Sequence, residues 1–183
     1  MKRSFLVAAA IVLSATFAQA QRFYTKNGLV SFFSSTNMEN IKADNNQVLC
    51  TVNSTSGDLQ FSLMNKGFHF AKALMEEHFN ENYIESTKFP KSTFKGTIAD
   101  ISKVNFTADG TYTVSVTGDL TMHGVTKSVT VPGTVTVKSG KPTVVSKFML
   151  KLADYGITIP GAVKKNISES IEITVNCLLD QKL

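Results

Sequence analysis

Apolar and polar residues alternate along much of the chain with a period of two. Between Tyr112 and His123, one side of the alternation consists of Tyr112, Val114, Val116, Leu120 and Met122. The intervening positions are mostly threonine and serine. Successive side chains of an extended chain point to opposite faces, so this alternation predicts a β-strand with one apolar face. The stretch from Val125 to Val137 repeats the pattern, with valine largely on one side and threonine or serine on the other.

Similar segments predict about eight strands in all. Besides the two stretches already described, they are Leu29–Ser35, Gln47–Asn53, Gly57–Leu63, Thr93–Ile101, Thr143–Ala153 and Ser170–Leu179. Small polar breakers such as Ala108-Asp109-Gly110 separate several of them, which indicates short connections. Short connections favour an antiparallel meander, and a meander of this size can close on itself and lose its edges. The predicted fold is therefore all-β, an eight-stranded antiparallel barrel.

One segment follows a helical period instead. The apolar or aromatic positions that recur three or four residues apart are Phe70, Leu74, Met75, His78 and Phe79. This spacing predicts a helix over Phe70–Asn80. A second short helix is predicted near Ala162–Ile167. We expect the first helix to plug or gate one end of the barrel with Phe70, Leu74 and Phe79.

The barrel interior has two interpretations at this point. A barrel of eight strands is about wide enough to be filled by its own side chains or to hold one slender ligand. The side chains expected to face inward are Phe61, Phe94, Val114, Val116, Leu120, Val135, Phe148 and Leu150. They either form a solid core or line an elongated apolar tunnel. A register slip of one residue would move a whole set to the outside.

The first twenty residues predict a targeting signal. Lys2 and Arg3 precede an apolar run from Phe5 to Ala18, and Ala18-Gln19-Ala20 fits a small-x-small cleavage pattern. The run has about 14 residues, fewer than the roughly 20 that cross a bilayer, so no membrane span is expected. We interpret residues 1–20 as a signal peptide and residues 21–183 as one domain of a periplasmic or secreted protein.

Charge and cysteine content narrow the function classes. Without Lys2 and Arg3, 17 basic residues face 14 acidic ones, a formal charge of +3. The chain has no basic cluster and no tryptophan, so nucleic acid is not an expected partner. Cys50 and Cys177 both fall on the apolar side of predicted strands. They are either buried free thiols or, if their strands bring them together, a disulfide.

No catalytic or metal-binding pattern is present in the sequence. His69, His78 and His123 lack the spacing of a metal site, and no nucleophile elbow or phosphate loop occurs. No cofactor, metal or catalytic residue is therefore predicted. An isomerase or hydratase that acts on a lipid, with His78 or His123 as acid or base, is the enzyme alternative. Lys164 and Lys165 either meet a polar head group or form a solvated loop.

Three segments resemble the YceI-like family. The first is Leu74–Gly96, the second is Gly118–Lys127 with its Leu120-Thr121-Met122-His123-Gly124-Val125 core, and the third is Phe148 with Asp154-Tyr155-Gly156-Ile157. They occur in the family's order and span most of the chain after residue 20. The resemblance implies an exported, lipocalin-like barrel.

The resemblance also implies a ligand class. Members of the family hold a polyisoprenoid, a quinone or another long-chain lipid inside the barrel. The resemblance implies no catalytic residues in this chain. The expected function is therefore that of a lipid carrier, with homodimerisation left open. The remaining alternative is a secreted protein that holds no ligand and meets partners through its surface.

Overall fold

Ten strands form a single sheet in the computed structural model, which describes residues 21–183. They are β1 (Arg22–Ser35), β2 (Asn40–Asn53), β3 (Asp58–Met64), β4 (His69–Phe70), β5 (Lys91–Ile98), β6 (Gly110–Met122), β7 (Val125–Lys138), β8 (Lys141–Lys151), β9 (Ser170–Leu178) and β10 (Gln181–Lys182). The predicted signal peptide over residues 1–20 lies outside the described residues.

The eight long strands close into a barrel. Each pairs antiparallel with the next in the order β1, β2, β3, β5, β6, β7, β8, β9. Strand β9 then pairs with β1, where Val30 lies opposite Val175 and Phe32 opposite Ile173. The two-residue strands β4 and β10 only extend β2 and β1. The prediction of an eight-stranded antiparallel barrel is confirmed.

The first two strands are longer than predicted because each contains an irregularity. Strand β1 begins at Arg22 rather than Leu29, and its pairing with β2 shifts register on both sides of Gly28. The buried positions therefore change from Phe23 and Thr25 to Gly28 and Val30. An extra residue in a strand reverses which face the following side chains occupy. Because the alternation changes phase at Gly28, a search for strict alternation does not detect the first half of the strand.

The helical segment is shorter than predicted. Helix α1 covers Ala73–His78 and continues into a π-helical turn over Phe79–Tyr83. Phe70 is not part of the helix, because it belongs to β4 and pairs with Ala43 of β2. The second predicted helix is only a 3₁₀ turn over Gly161–Val163. Three more 3₁₀ turns, at Asn65–Gly67, Ile101–Lys103 and Leu152–Tyr155, connect strands.

Aromatic and aliphatic packing closes one end of the barrel. Phe23 of β1 stacks on Phe106 of the β5–β6 connection, with ring centroids 5.4 Å apart. Val135 and Val137 of β7 are also fully buried here. Helix α1 and the 3₁₀ turns after β8 lie at the opposite end, which we call the mouth.

The two cysteines meet inside the closed end. Cys50 of β2 and Cys177 of β9 are both buried free thiols and hydrogen-bonding neighbours. Their strands lie on either side of β1, and the side chains meet over Gly28, where a Cβ would collide with the Cys177 sulfur. Burial raises the pKa of the Cys50 thiol well above its usual value, and contact with Cys177 raises it further.

We expect neither thiol to react in the folded protein. The raised pKa of Cys50 lowers its thiolate fraction at a given pH, and burial excludes the reagent from both cysteines. Iodoacetamide at pH 8 should therefore modify neither cysteine in buffer and both in guanidinium chloride, as read by intact mass. An unfolded protein that resists alkylation until a reductant is added would show instead that the two form a disulfide.

Candidate functional site

The middle of the barrel contains an apolar cavity, which we call the inner chamber. Its volume is about 130 Å³. Only Ser92, Thr93 and Ser146 among its lining residues have polar side chains. The other lining residues are aliphatic or aromatic, apart from Gly133. Side chains from seven strands build it, mostly at alternate positions, because each strand presents every second residue to the interior.

A second cavity lies between the inner chamber and the mouth, and we call it the mouth chamber. Its volume is about 300 Å³. Four phenylalanines form one wall, with ring centroids 5.2 to 5.6 Å apart: Phe32, Phe68, Phe70 and Phe79. Met75 of α1 and Ile157 after β8 complete the apolar lining. Glu39, His78 and Asn166 bring polar atoms to the chamber.

The two chambers are adjacent. Phe68, Ser92, Met122 and Ile173 line both of them. These four side chains lie where the two volumes meet, and a flexible methionine is one of them. A methionine side chain adapts its shape at little cost, so a long apolar molecule can extend from one chamber into the other.

Seven of the eight residues predicted to line the interior lie around the inner chamber. They are Phe61, Phe94, Val114, Val116, Leu120, Phe148 and Leu150. Val135 is the exception, because it is fully buried and packs in the core of the closed end. Whether these residues bind a ligand stays a prediction.

Two of the three residues predicted to plug or gate the barrel lie at the mouth chamber, and their gating role stays a prediction. Phe70 and Phe79 line the mouth chamber, whereas Leu74 lines neither chamber and is 60% exposed. The prediction for Leu74 is wrong because it assumed one continuous helix, in which Phe70 and Leu74 share a face. Since Phe70 lies on β4 and the helix begins at Ala73, Met75 faces the chamber instead.

Phe32 and Phe68 were missed by the sequence prediction. Phe32 lies within the predicted strand Leu29–Ser35, but its neighbour Phe33 gave no indication of which ring faces inward. Phe68 follows a 3₁₀ turn, where no period applies. Of the two, Phe32 could have been found from its parity with Val30, which is also buried.

The hairpin tip between β6 and β7 holds His123 in a set of polar contacts at the mouth, which we call the His123 lock. His123 Nδ1 lies 2.9 Å from the Tyr155 carbonyl oxygen and Nε2 lies 2.7 Å from Glu85 Oε2. A carbonyl oxygen only accepts, so Nδ1–H donates to the Tyr155 carbonyl and Nε2 faces the Glu85 carboxylate. Phe89 packs edge-on against the imidazole at 4.7 Å between ring centroids.

Charged groups at the mouth are largely paired with each other. Lys72 Nζ lies 3.5 Å from Glu39 Oε1, and Lys164 Nζ lies 3.1 Å from Glu169 Oε1. Lys164 and Lys165 are exposed and flank the mouth chamber without lining it. Burial raises the pKa of Tyr83, so this phenol stays protonated and neutral beside the apolar wall.

Neither chamber brings a histidine and a carboxylate into contact. The His123–Glu85 pair lies outside both, and His78 is exposed at the rim. Within residues 21–183, no group of three potential metal-ligating side chains occurs. Over the same residues, none of the helices has the length and apolar character needed to cross a bilayer.

A closed eight-stranded antiparallel barrel with a capped mouth and an apolar interior defines a lipocalin-like barrel. The chain belongs to the YceI-like domain family, whose profile matches residues 12–179. A UPF0312 protein of Pseudomonas putida strain GB-1 is 32% identical over 98 residues, which is 50% of this chain and 47% of that protein. The chain therefore spans about half the length of the curated relatives it matches.

Solved structures share the fold at low sequence identity. A polyisoprenoid-binding domain from Saccharophagus degradans, implicated in plant cell wall breakdown, has a TM-score of 0.71 at 15% identity and covers 86% of this chain and 95% of its own. Burkholderia cenocepacia BcnA has a TM-score of 0.69 at 17% identity, with 81% and 94% covered. These neighbours share the barrel fold with this chain.

Proposed function

We propose that this protein is an exported carrier that holds one long apolar lipid, a polyisoprenoid or an isoprenoid quinone, across both chambers. The observation that carries the proposal is the pair of adjacent cavities that share Phe68, Ser92, Met122 and Ile173 in their linings. An apolar chain in the inner chamber gains about 25 cal/mol for each Å² it removes from water. The polar atoms of Glu39, His78 and Asn166 then lie where the head group would be.

Two features support this ligand class over the alternatives. A protein without a ligand would be expected to fill its barrel with side chains, yet the barrel has two cavities with largely apolar walls. The Saccharophagus degradans neighbour is described as polyisoprenoid-binding, and it shares the barrel. The signal-like residues 1–20 support export to the periplasm or the medium, where a lipid needs a carrier to leave a membrane.

The proposal is tested by native mass spectrometry of protein purified from its own compartment, followed by organic extraction and lipid analysis. We expect one isoprenoid lipid per chain. Protein that is consistently empty, and that also rejects added quinones and polyprenols, would contradict the carrier function and favour an interaction protein.

We expect Val116→Asp to abolish lipid binding. Val116 is 3% exposed and lines the inner chamber, so a carboxylate there would lie in an apolar cavity with no partner. Thr117→Asp is the matched control, since its side chain lies on the outer face of the same strand. Val114→Phe fills the same chamber without a charge, and it should also block binding if Val116→Asp fails to fold. Binding is measured by quinone co-purification after incubation with lipid.

A further inference from the structure

The barrel wall has a gap on one side, between β7 and β8. The last pair that joins the two strands is Gly133 with Ser146. Beyond it, β7 pairs only with β6, as far as Val125, and β8 pairs only with β9, as far as Lys151. We call the facing segments 128–132 of β7 and 147–151 of β8 the seam. No backbone ladder joins the wall along it in the described structure.

Pro132 gives the physical reason for the gap. The Ser146 hydroxyl of β8 donates to the Pro132 carbonyl at 2.6 Å, so the carbonyl points towards β8. In an antiparallel strand the nitrogen of a residue points to the same side as its carbonyl oxygen. Proline has no N–H to donate there, so one backbone bond of the next ladder pair cannot form, and the Ser146 hydroxyl bonds to the Pro132 carbonyl instead.

The seam leads into the inner chamber. If the register continued, Val131 would face Phe148 and Val129 would face Leu150, and all four side chains line the chamber. Val145 points outward between two inward-facing neighbours and is 37% exposed, yet it also lines the chamber. The lining of the chamber therefore includes an outward-facing residue beside the last ladder pair, where the seam begins.

Polar contacts hold the far end of the seam. Lys127 Nζ lies 4.0 Å from Asp154 Oδ1, which joins the start of β7 to the turn after β8. The His123 bond to the Tyr155 carbonyl spans the same two elements. The seam is thus bounded at one end by the Gly133–Ser146 pair and at the other by these polar contacts. Its inner side is apolar, and Lys147, Met149 and Lys151 are exposed on its outer side.

We propose that the seam is a lateral port through which the apolar chain of a membrane lipid enters and leaves the inner chamber. The inference rests on the carrier function. The lining of the mouth chamber includes the polar residues Glu39, His78 and Asn166, whereas the seam presents only valine, phenylalanine and leucine to the interior. The unpaired backbone groups of the strand edges keep their hydrogen bonds to water, because both edges face solvent.

A reversible crosslink across the seam tests the port. Thr130→Cys with Met149→Cys places two thiols on the outer face of opposite edges, where both native side chains are exposed. A short bis-methanethiosulfonate reagent joins them and leaves the buried Cys50 and Cys177 untouched. Thr136→Cys with Thr143→Cys is the matched control, since these residues already pair on the same two strands. Uptake of a long-chain isoprenoid quinone from phosphatidylcholine vesicles is measured by extracting the protein and quantifying the bound quinone.

The crosslinked seam is expected to slow quinone uptake at least about tenfold, with recovery on adding reductant, while the crosslinked control stays at the rate of the unmodified protein. Equal rates for seam and control would overturn the port and leave the carrier function standing. No uptake by any form, the native protein included, would contradict the carrier function itself. A crosslink that abolishes a dimer and leaves uptake unchanged would make the seam an interface between copies and would also overturn the port.

Pro132→Val provides a second measurement without a crosslinker. It restores the missing N–H, so β7 and β8 can extend their ladder and close the seam. We expect slower uptake than for Thr130→Val, which adds an apolar side chain on the same edge without adding a donor. Equal uptake by the two variants would contradict the port.

Discussion

Gly118→Val is expected to unfold the barrel or to leave it barely stable. Gly118 of β6 lies opposite Gly96 of β5, and the two strands approach so closely that a Cβ on Gly118 would collide with the Gly96 Cα and the Lys95 carbonyl oxygen. These are backbone atoms, which cannot rotate away as a side chain can. We therefore expect a loss of at least about 3 kcal/mol in the free energy of unfolding.

The reason for this close approach is visible on Gly96. A Cβ there would lie 2.7 Å from two atoms of the Phe94 ring, so the ring covers the glycine on the same strand. Phe94 also packs against Phe61 of β3, with centroids 6.3 Å apart. The glycine pair thus lets a large ring lie flat against the wall and leaves space inside the barrel.

The unfolding midpoint in urea, followed by circular dichroism, measures the effect of Gly118→Val. Gly133→Ala is the matched control, because Gly133 is also a strand glycine but its Cβ would meet its nearest neighbours at an ordinary 3.4 Å. We expect the control to change stability by less than about 1 kcal/mol. Similar midpoints for the two variants would show that β5 and β6 do not approach so closely.

His123→Ala is expected to destabilise the mouth more than any other single histidine replacement. The imidazole makes two hydrogen bonds, one of them to a carboxylate, and an edge-on contact with Phe89. Its side chain is only 13% exposed. Removing it leaves the Tyr155 carbonyl and Glu85 without their partner and opens a void. The expected loss is about 2 to 4 kcal/mol.

His69→Ala is the matched control for this measurement. His69 is also paired with a glutamate, since its Nδ1 lies 3.5 Å from Glu76 Oε2, but its side chain is 68% exposed. Exposed ion pairs contribute little, so the control should lose less than about 0.5 kcal/mol. Thermal melts of both variants at one pH compare them directly, and equal losses would contradict a structural role for the His123 lock.

Period-two alternation was sufficient to predict the strands that lack irregularities. Strands β6 and β7 pair without interruption from Gly110 with Val137 to the tip at Met122 and Val125, as the sequence pattern predicts. Strands β1 and β2 were predicted at half their length, because each has two exposed residues in succession at its middle. Alternation on either side of such a pair has opposite phase, and neither half is long enough to stand out.

The interior was predicted better than the mouth for the same reason. Strand parity alone decides that Val114 and Val116 face inward, so the inner chamber follows from the sequence. The mouth is built from α1, a two-residue strand and 3₁₀ turns, where long-range contacts such as Phe70 with Phe32 decide the arrangement. Leu74 was misplaced because local spacing contains no information about β4.

The pairing of β9 with β1 has a consequence for how the chain folds. All other long strands pair with a neighbour close in sequence, so hairpins can form locally and early. The last pairing joins the first long strand to the final one, so its formation carries the entropic cost of closing a loop that spans nearly the whole barrel domain. Until β9 is synthesised, the edges of β1 and β8 remain open and adhesive. We therefore expect slow, late closure of the barrel, and a chain that depends on protection from aggregation until its C-terminal strand is available.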